Sequence, residues 1–426
     1  MTLLVIGIFT IAAAIGMPLA FALGFASLAV LKYADFELVV MPQRMMYAID
    51  NFPLMAIPLF MLAGELMVKA GIMERLIAFS NSLVGRVHGG LAHVTIVAGM
   101  ILASVSGAAV ASASALGSSL VPALKKHYSP GYATAVVASA SNLGPIIPPS
   151  SAMIVYALMA GSAVSVGGLF MAGVVPGIIL TVAFMCLASW ISWRRGYEHT
   201  GDAFSFSNAF YHFRRAFIVI LMPIVVVGGI VVGAFTATEG AAIAVIYAGA
   251  IGFLVTGRLK IADLPSCLFR AAVTSAMVGA LMAFAAAVTF VFTVDMIPQR
   301  LSEGIQAFTS DPVIFIILVM ALLVVVGMLL ESNAAYIMLV PLLAPIATGY
   351  GIDPLYFGFL FVFNLVIGMM TPPVGVLLFV MSGITKVPMT TVIRESLPYV
   401  YVQFAVLLLC ALFPPVVLWL PRALGY

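Results

Sequence analysis

Two short stretches of this 426-residue chain carry residue types that can hold an ion or a small acid inside an apolar protein. Residues 142–151 read Asn-Leu-Gly-Pro-Ile-Ile-Pro-Pro-Ser-Ser, and residues 367–374 read Ile-Gly-Met-Met-Thr-Pro-Pro-Val. Each lies within an apolar run long enough to cross a bilayer, yet neither can be one continuous helix. Pro145, Pro148 and Pro149 interrupt the first, and Pro372 and Pro373 the second. Each ring removes a backbone donor and clashes with the preceding turn, and it drives the residue before it out of the α region. Backbone freed in this way at membrane depth persists only where protein buries it or where it lines a cavity.

The chemistry such breaks offer is set by helix ends. Helix N-termini favour anions, and carbonyls left free at C-terminal ends favour cations. Na⁺ is a hard cation that takes oxygen ligands, and carbonyls with Ser or Thr hydroxyls supply them without formal charge. One cation is therefore expected between Ser104, Ser106 and the first break at Asn142, Gly144 and Ile147. A second is expected between Gly327, Asn333 and the second break at Gly368 and Thr371. Glu331 and Asn364 are the candidates for contact with a substrate on these grounds. A plainer reading stands beside this one: Ser, Gly and Ala are small, and small residues let helices approach closely. Glu331 is the sharpest single signal, because an acid in mid-span costs at least about 2.5–3.5 kcal/mol on insertion scales. It would bind a cation, receive a substrate group or relay a proton; otherwise it caps a helix.

The elements that must position these residues are transmembrane helices. The chain is 64% hydrophobic and 8% charged, where soluble proteins carry roughly 25% charged residues. Its mean hydropathy is +1.23, and at roughly 20 residues per span it holds about ten to twelve full or partial crossings. The net charge of +3 says little about partners, and no nucleic acid is expected. Cys186, Cys267 and Cys410 sit in apolar runs without metal-ligand spacing and read as packing residues. No His-Glu-x-x-His, no Gly-x-Ser-x-Gly elbow and no Walker-type phosphate loop occurs, which argues against an enzyme and against ATP as direct energy source.

Read in order, the chain opens with a span over 2–31 that no cleavage signal marks for removal. An amphipathic connector (32–51) and an apolar segment (52–68) follow. Residues 89–124 exceed one span and are rich in Ser, Gly and Ala near 104–109, which predicts a re-entrant helical hairpin, with one long tilted helix as the alternative. A broken span covers 132–158 and a full span 169–193. The loop between Arg194-Arg195 and Arg214-Arg215 is rich in aromatics and predicts an interfacial helix. Spans at 218–235 and 241–255 come next. The basic groups at 194–195, 214–215 and 258–270 mark one side of the membrane, the cytoplasmic one by the positive-inside rule. A further apolar segment (271–294), a second overlong segment (312–348), a second broken span (355–380) and a last span (399–420) complete the chain.

Five pairs stand 224 residues apart: Pro130 and Pro354, Tyr132 and Tyr356, Gly144 and Gly368, Pro148 and Pro372, Pro149 and Pro373. Such a repeat, with interrupted spans at matching places, predicts two inverted halves with a binding site between them. The expected fold is an all-α polytopic membrane protein. Its division is 1–88 N-terminal scaffold helices, 89–168 transport half 1 and 169–270 scaffold spans with the loop 194–215. A connecting helix at 271–311, transport half 2 at 312–397 and a C-terminal span at 398–426 follow.

Four segments carry a specific resemblance: 104–107 (Ser-Val-Ser-Gly), 142–150, 236–242 (Thr-Ala-Thr-Glu-Gly-Ala-Ala) and 368–375 (Gly-Met-Met-Thr-Pro-Pro-Val-Gly). They resemble the large M subunit of tripartite ATP-independent periplasmic (TRAP) transporters, and the similarity runs through essentially the whole chain. The resemblance implies a Na⁺-driven importer of organic acids such as C4-dicarboxylates or sialic acids, working by an elevator motion in a bacterial inner membrane. It implies Na⁺ as coupling ion with no organic cofactor. It also implies two partners: a small four-helix Q membrane subunit, here a separate chain, and a periplasmic substrate-binding P protein. By the same resemblance Ser104 and Ser106 lie near cation and substrate, Ser150 and Ser151 near substrate, and Glu331 where the second hairpin turn carries an acid. A stand-alone Na⁺/dicarboxylate or citrate symporter of related architecture is the alternative, with a channel or intramembrane enzyme behind it.

Overall fold

A computed structural model describes residues 1–84, 88–197, 205–330, 332–372 and 375–426. The chain is 82% helical and carries no strand among the described residues. Its N-terminal region differs from the single span expected over 2–31. α1 (Thr2–Ala14) and α2 (Leu19–Tyr33) are separate helices packed on each other. The reason is local: Gly16 takes a positive φ of 90° and Pro18 stands just before α2. The amphipathic α3 (Val40–Ile49), the apolar α4 (Ala56–Lys69) and α5 (Ile72–Val84) follow.

The two overlong segments are each a pair of helices. α6 (Gly90–Ser106) and α7 (Ala109–Leu124) form the first hairpin, which turns at Gly107 with φ 61°. The first broken span is α8 (Pro130–Ser141) and α9 (Ser151–Ala160), followed by the long α10 (Val166–Arg194). α11 (Phe206–Val231) starts in the stretch expected to be a separate interfacial helix and runs unbroken into the membrane span. Nothing in Phe206–Ala216 stops a helix, so the interfacial turn and the span share one axis. α12 (Ala237–Ala250) opens on a capping box in which Thr236 and Glu239 bond each other's backbone N–H. α13 (Leu264–Val294) and the amphipathic α14 (Ile297–Phe308) lead to the second half.

There, α15 (Pro312–Leu329) and α16 (Ser332–Gly349) make the second hairpin, and α17 (Pro354–Gly368) with α18 (Val376–Thr385) the second broken span. The last expected span is also two helices, α19 (Met389–Leu412), which contains Pro398, and α20 (Pro415–Ala423). Seven helices among the described residues are long and apolar enough to cross a membrane alone.

The halves are related by exchange. In each, the first hairpin helix packs on the first half of its own broken span, α6 on α8 and α15 on α17. The second hairpin helix packs on the second half of the other copy, α7 on α18 and α16 on α9. Asn142 donates to the carbonyl of Val366 at 3.0 Å, 224 residues away. A residue that touches its own repeat equivalent lies at the two-fold. The halves are also inverted. Ser129, capping the start of α8, meets Tyr197 just past the C-terminus of α10 at 3.3 Å. Leu355, at the start of α17, packs on Gly168 at the N-terminus of α10. The 29 residues of α10 separate these two points by about 43 Å, so the broken spans begin on opposite faces of the molecule.

Candidate functional site

The first break is built from tight turns and one cap. Gly144 donates to the carbonyl of Ser141 (3.1 Å), and Ile146 and Ile147 both donate to Leu143 (3.0 and 2.9 Å). Ser150 caps α9: its Oγ accepts the Met153 N–H at 3.3 Å and donates to the Pro145 carbonyl at 2.7 Å. Ser150 is fully buried, so its hydroxyl serves the break itself. Ser151 reaches the hairpin instead, donating Oγ–H to the carbonyl of Gly107 at 3.0 Å. The same junction recurs in the second half, where the N–H of Gly375 meets the carbonyl of Met328 at 3.4 Å, as that of Ser151 meets Gly107 at 3.4 Å. Each second half-helix is thus pinned to the tip region of its own hairpin. Gly107 is required there twice over, by its positive φ and because a Cβ would lie 2.7 Å from the Pro149 carbonyl.

Oxygen atoms are left over at the breaks. No hydrogen bond from a described residue reaches the carbonyls of Gly144, Ile146 or Ile147. Asn142 is buried and spends its amide N–H groups on Val366 O and on Gln403 Oε1 (2.8 Å), leaving Oδ1 without a donor among the described residues. A buried oxygen in that condition costs about 1–3 kcal/mol unless something else answers it. Thr371 donates to Ile367 O at 2.8 Å, which leaves its lone pairs available. These neutral oxygens are the donor set a hard monovalent cation prefers, and no group of three or more His, Cys, Asp or Glu among the described residues competes for a metal. Gly327 and Gly368 also serve packing. A Cβ on Gly368 would lie 2.6 Å from Gly327 Cα, so their nearest business is the close crossing of α15 and α17. Asn364 is buried and donates to Met320 O at 2.9 Å, tying α17 to α15.

A cavity of about 630 Å³ lies where the hairpins and breaks face α4 and α13, within the range of roughly 300–1,000 Å³ usual for small-molecule sites. On one wall are Gly107–Ala111, Ser114, Pro145, Ser151, Ser332, Asn333, Tyr336 and Met369; on the other are Met61, Glu65, Val68, Phe269, Arg270 and Thr274. The first turns of three helices, α7, α9 and α16, border it. Each N-terminus carries roughly half a positive charge, so the cavity is disposed toward an anion. Arg270 reinforces this, and among the described residues Glu65 is its carboxylate partner, at 3.7 Å. Val68 and Arg270 are exposed, so the cavity opens at the end where the basic residues gather.

Of the sequence candidates, Ser151 and Asn333 line the cavity, while Ser150, Asn142 and Asn364 support its walls. Pro145 borders it and Pro148, Pro149 and Pro372 shape the breaks. Glu331 and Pro373, and the side chains of Ser104 and Ser106, fall outside the described residues; the backbone of Ser104 and Ser106 ends α6. Glu65, Arg270 and Gln403 were not singled out from the sequence. Glu65 had a signal, being an acid within an apolar segment, whereas Arg270 reads only as one more basic residue at a span end.

An exchanged pair of hairpins and broken helices enclosing an anion-disposed cavity defines a membrane transport subunit rather than an enzyme. The comparisons name the family. The family model "Tripartite ATP-independent periplasmic transporter, DctM component" matches residues 6–416, and the chain belongs to that family. It is 36% identical to the sialic acid TRAP transporter large permease protein SiaM of Vibrio cholerae, over 96% of each chain. It is 34% identical to the C4-dicarboxylate large permease DctM of Pseudomonas aeruginosa, over 88% of each. It also matches the isethionate permease DctMQ of Oleidesulfovibrio alaskensis at 35% identity, over 96% of this chain and 65% of that one. The crystal structure of the Alcanivorax borkumensis YdaH transporter shares the fold, with a TM-score of 0.64 and 16% identity over 90% of this chain and 89% of that one.

Proposed function

We propose that this chain is the membrane-embedded subunit of a Na⁺-coupled, binding-protein-dependent importer of organic acids, acting in a bacterial inner membrane. The carrying observation is the cavity between two packed bodies: helix N-termini and Arg270 suit it to a carboxylate, and neutral oxygens at the adjoining breaks suit a sodium ion. Relatives named for sialic acid, C4-dicarboxylate and 2,3-diketo-L-gulonate support an organic acid as cargo. Asn142 Oδ1, the carbonyls of Gly144 and Ile147, and Thr371 Oγ1 are the atoms we assign to sodium. Ser151, Asn333 and Arg270 are assigned to the substrate. The ion's role is to satisfy buried oxygens that lack a donor, so that the walls hold the acid only when sodium is present.

We draw the moving body as both hairpins and both broken spans and, departing from the division expected from sequence, add α10, α19 and α20, which pack against them; α1–α5 and α11–α14 form the scaffold. Sliding one past the other carries the cavity across the membrane, and the opening described above is the cytoplasmic one. The DctMQ relative, a longer chain named for both components, supports a small Q partner, with a periplasmic P protein delivering substrate. The test is uptake of a labelled acid into proteoliposomes holding this chain with its Q and P partners. Uptake is expected to need an inward Na⁺ gradient; transport that survives complete removal of Na⁺ removes the coupling.

A further inference from the structure

A second cavity, of about 380 Å³, lies on the scaffold away from the hairpins and breaks. Three guanidiniums share it: Arg75 on α5, Arg215 on α11 and Arg258 beyond α12. Among the described residues one carboxylate answers them, Glu74, and Arg258 holds it. The nearby Asp263 is already taken by Lys69 (3.6 Å) and by the backbone N–H of Lys260 (3.1 Å). Arg75 is anchored to backbone, donating to the carbonyls of Arg215 (3.4 Å) and Val255 (3.2 Å). Arg215 donates to the Tyr211 hydroxyl at 3.1 Å. Neither Arg75 nor Arg215 has a carboxylate partner among the described residues. Partial burial, then the charges of Arg215 and Arg258, lower the affinity of Arg75 for its proton. Positive charge is thus concentrated here beyond what the protein's own acids offset. The turn between α4 and α5 is shaped to keep it so, because a Cβ on Gly71 (φ 69°) would run into the Arg258 side chain.

Position selects the kind of anion. The cavity is lined by His212 and Arg215 in the N-terminal part of α11 and by Thr256 and Arg258 just past α12, so it lies toward the ends of two membrane-length apolar helices. Leu254 and Val255, just before the lining residue Thr256, are exposed apolar residues, Leu254 at 84%. Apolar surface meeting clustered arginine at a span end matches a molecule with acyl chains on one side and a phosphate on the other. We propose that this cavity binds the phosphate group of an anionic phospholipid. Arg215 and Arg258 contact the phosphate, Arg75 holds the walls together, and Leu254 and Val255 meet the chains.

The experiment titrates the full-length chain, purified in zwitterionic detergent, with dioleoyl-phosphatidylglycerol, dioleoyl-phosphatidylcholine and sodium phosphate. Binding is read by native mass spectrometry and by the shift in Tm. Phosphatidylglycerol is expected to bind preferentially, and R215Q/R258Q to weaken it by about 30-fold, at about fivefold per arginine near a membrane surface. R215K/R258K keeps the charge and should keep the preference, which separates lost binding from lost folding. E74Q removes the competing carboxylate and should tighten binding. Equal binding of the two lipids, or a preference that survives R215Q/R258Q, overturns the proposal. Stabilisation by sodium phosphate equal to that by phosphatidylglycerol also overturns it, since the site would then serve a soluble anion.

Discussion

At the scale of single residues, the site rests on which hydroxyl and amide groups are already occupied. Ser150 uses both its donor and an acceptor position inside the break, whereas Thr371 has donated its proton to Ile367 O and keeps its lone pairs. Replacing Ser150 should therefore disturb structure, and replacing Thr371 should disturb ion binding. T371V is expected to raise the half-saturating Na⁺ concentration by about 3–10-fold, the equivalent of one net polar interaction, while T371S stays near the parent. Uptake measured against Na⁺ concentration decides it; an unchanged curve for T371V withdraws Thr371 from the ion site. Arg270 and Glu65 form a second pair of readouts. Their 3.7 Å separation and the 59% exposure of Arg270 describe a loose ion pair, one that solvent screens and a substrate carboxylate can outcompete. R270Q should raise KM by about 3–10-fold after allowance for that screening, and E65Q should lower KM by releasing the guanidinium. KM values that move together in both variants would mean the pair supports structure only.

At the scale of elements, the junction of the two breaks is a short polar chain in an apolar interior. Asn142 at the end of α8 bonds Val366 on α17 and Gln403 on α19, and so joins three helices of both halves. Lipid tails give helices no hydrophobic reason to associate, so packing and a few such bonds decide the arrangement, each at about 0.6–1.7 kcal/mol. N142A and Q403A should each lower the thermal unfolding midpoint in detergent. Their double-mutant cycle should show coupling of about that size; strictly additive effects would deny the bond its role. Much of this level was legible from sequence. Proline position alone sets where a span breaks, and the 224-residue offset gives the repeat because it counts residues, not contacts. What stayed hidden depends on distant packing. The exchange of α7 and α16 between halves has no local signature. Nor does the approach of Glu65 on α4 to Arg270 on α13, more than 200 residues later in the chain. The division of the expected first span is hidden for a different reason: hydropathy runs straight through residues 16–18, and backbone conformation rather than polarity divides α1 from α2.

At the scale of the whole molecule, the cavity gains its meaning from having walls on two bodies. A site enclosed within one rigid bundle could open to both sides only by rearranging its own lining. Here one wall comes from the hairpins and breaks and the other from α4 and α13, so relative displacement of the bodies can change access while the hydrogen bonds inside each stay intact. The pinning of Ser151 to Gly107 and of Gly375 to Met328 fits the proposed sliding, because it ties each tip to its break. Spin labels test this directly. Met277 on α13, Phe21 on α2 and Phe379 on α18 are exposed at 62%, 60% and 54%, so labels there should leave the cavity untouched, once the exposed Cys186 is replaced. The distance between Met277→Cys and Phe379→Cys crosses the two bodies, and that between Met277→Cys and Phe21→Cys stays within the scaffold. Adding Na⁺ with substrate and the partner proteins should redistribute the first distance and leave the second in place. Redistribution of both would point to loosening of the scaffold, and constancy of both under conditions that support uptake would rule out a sliding body altogether.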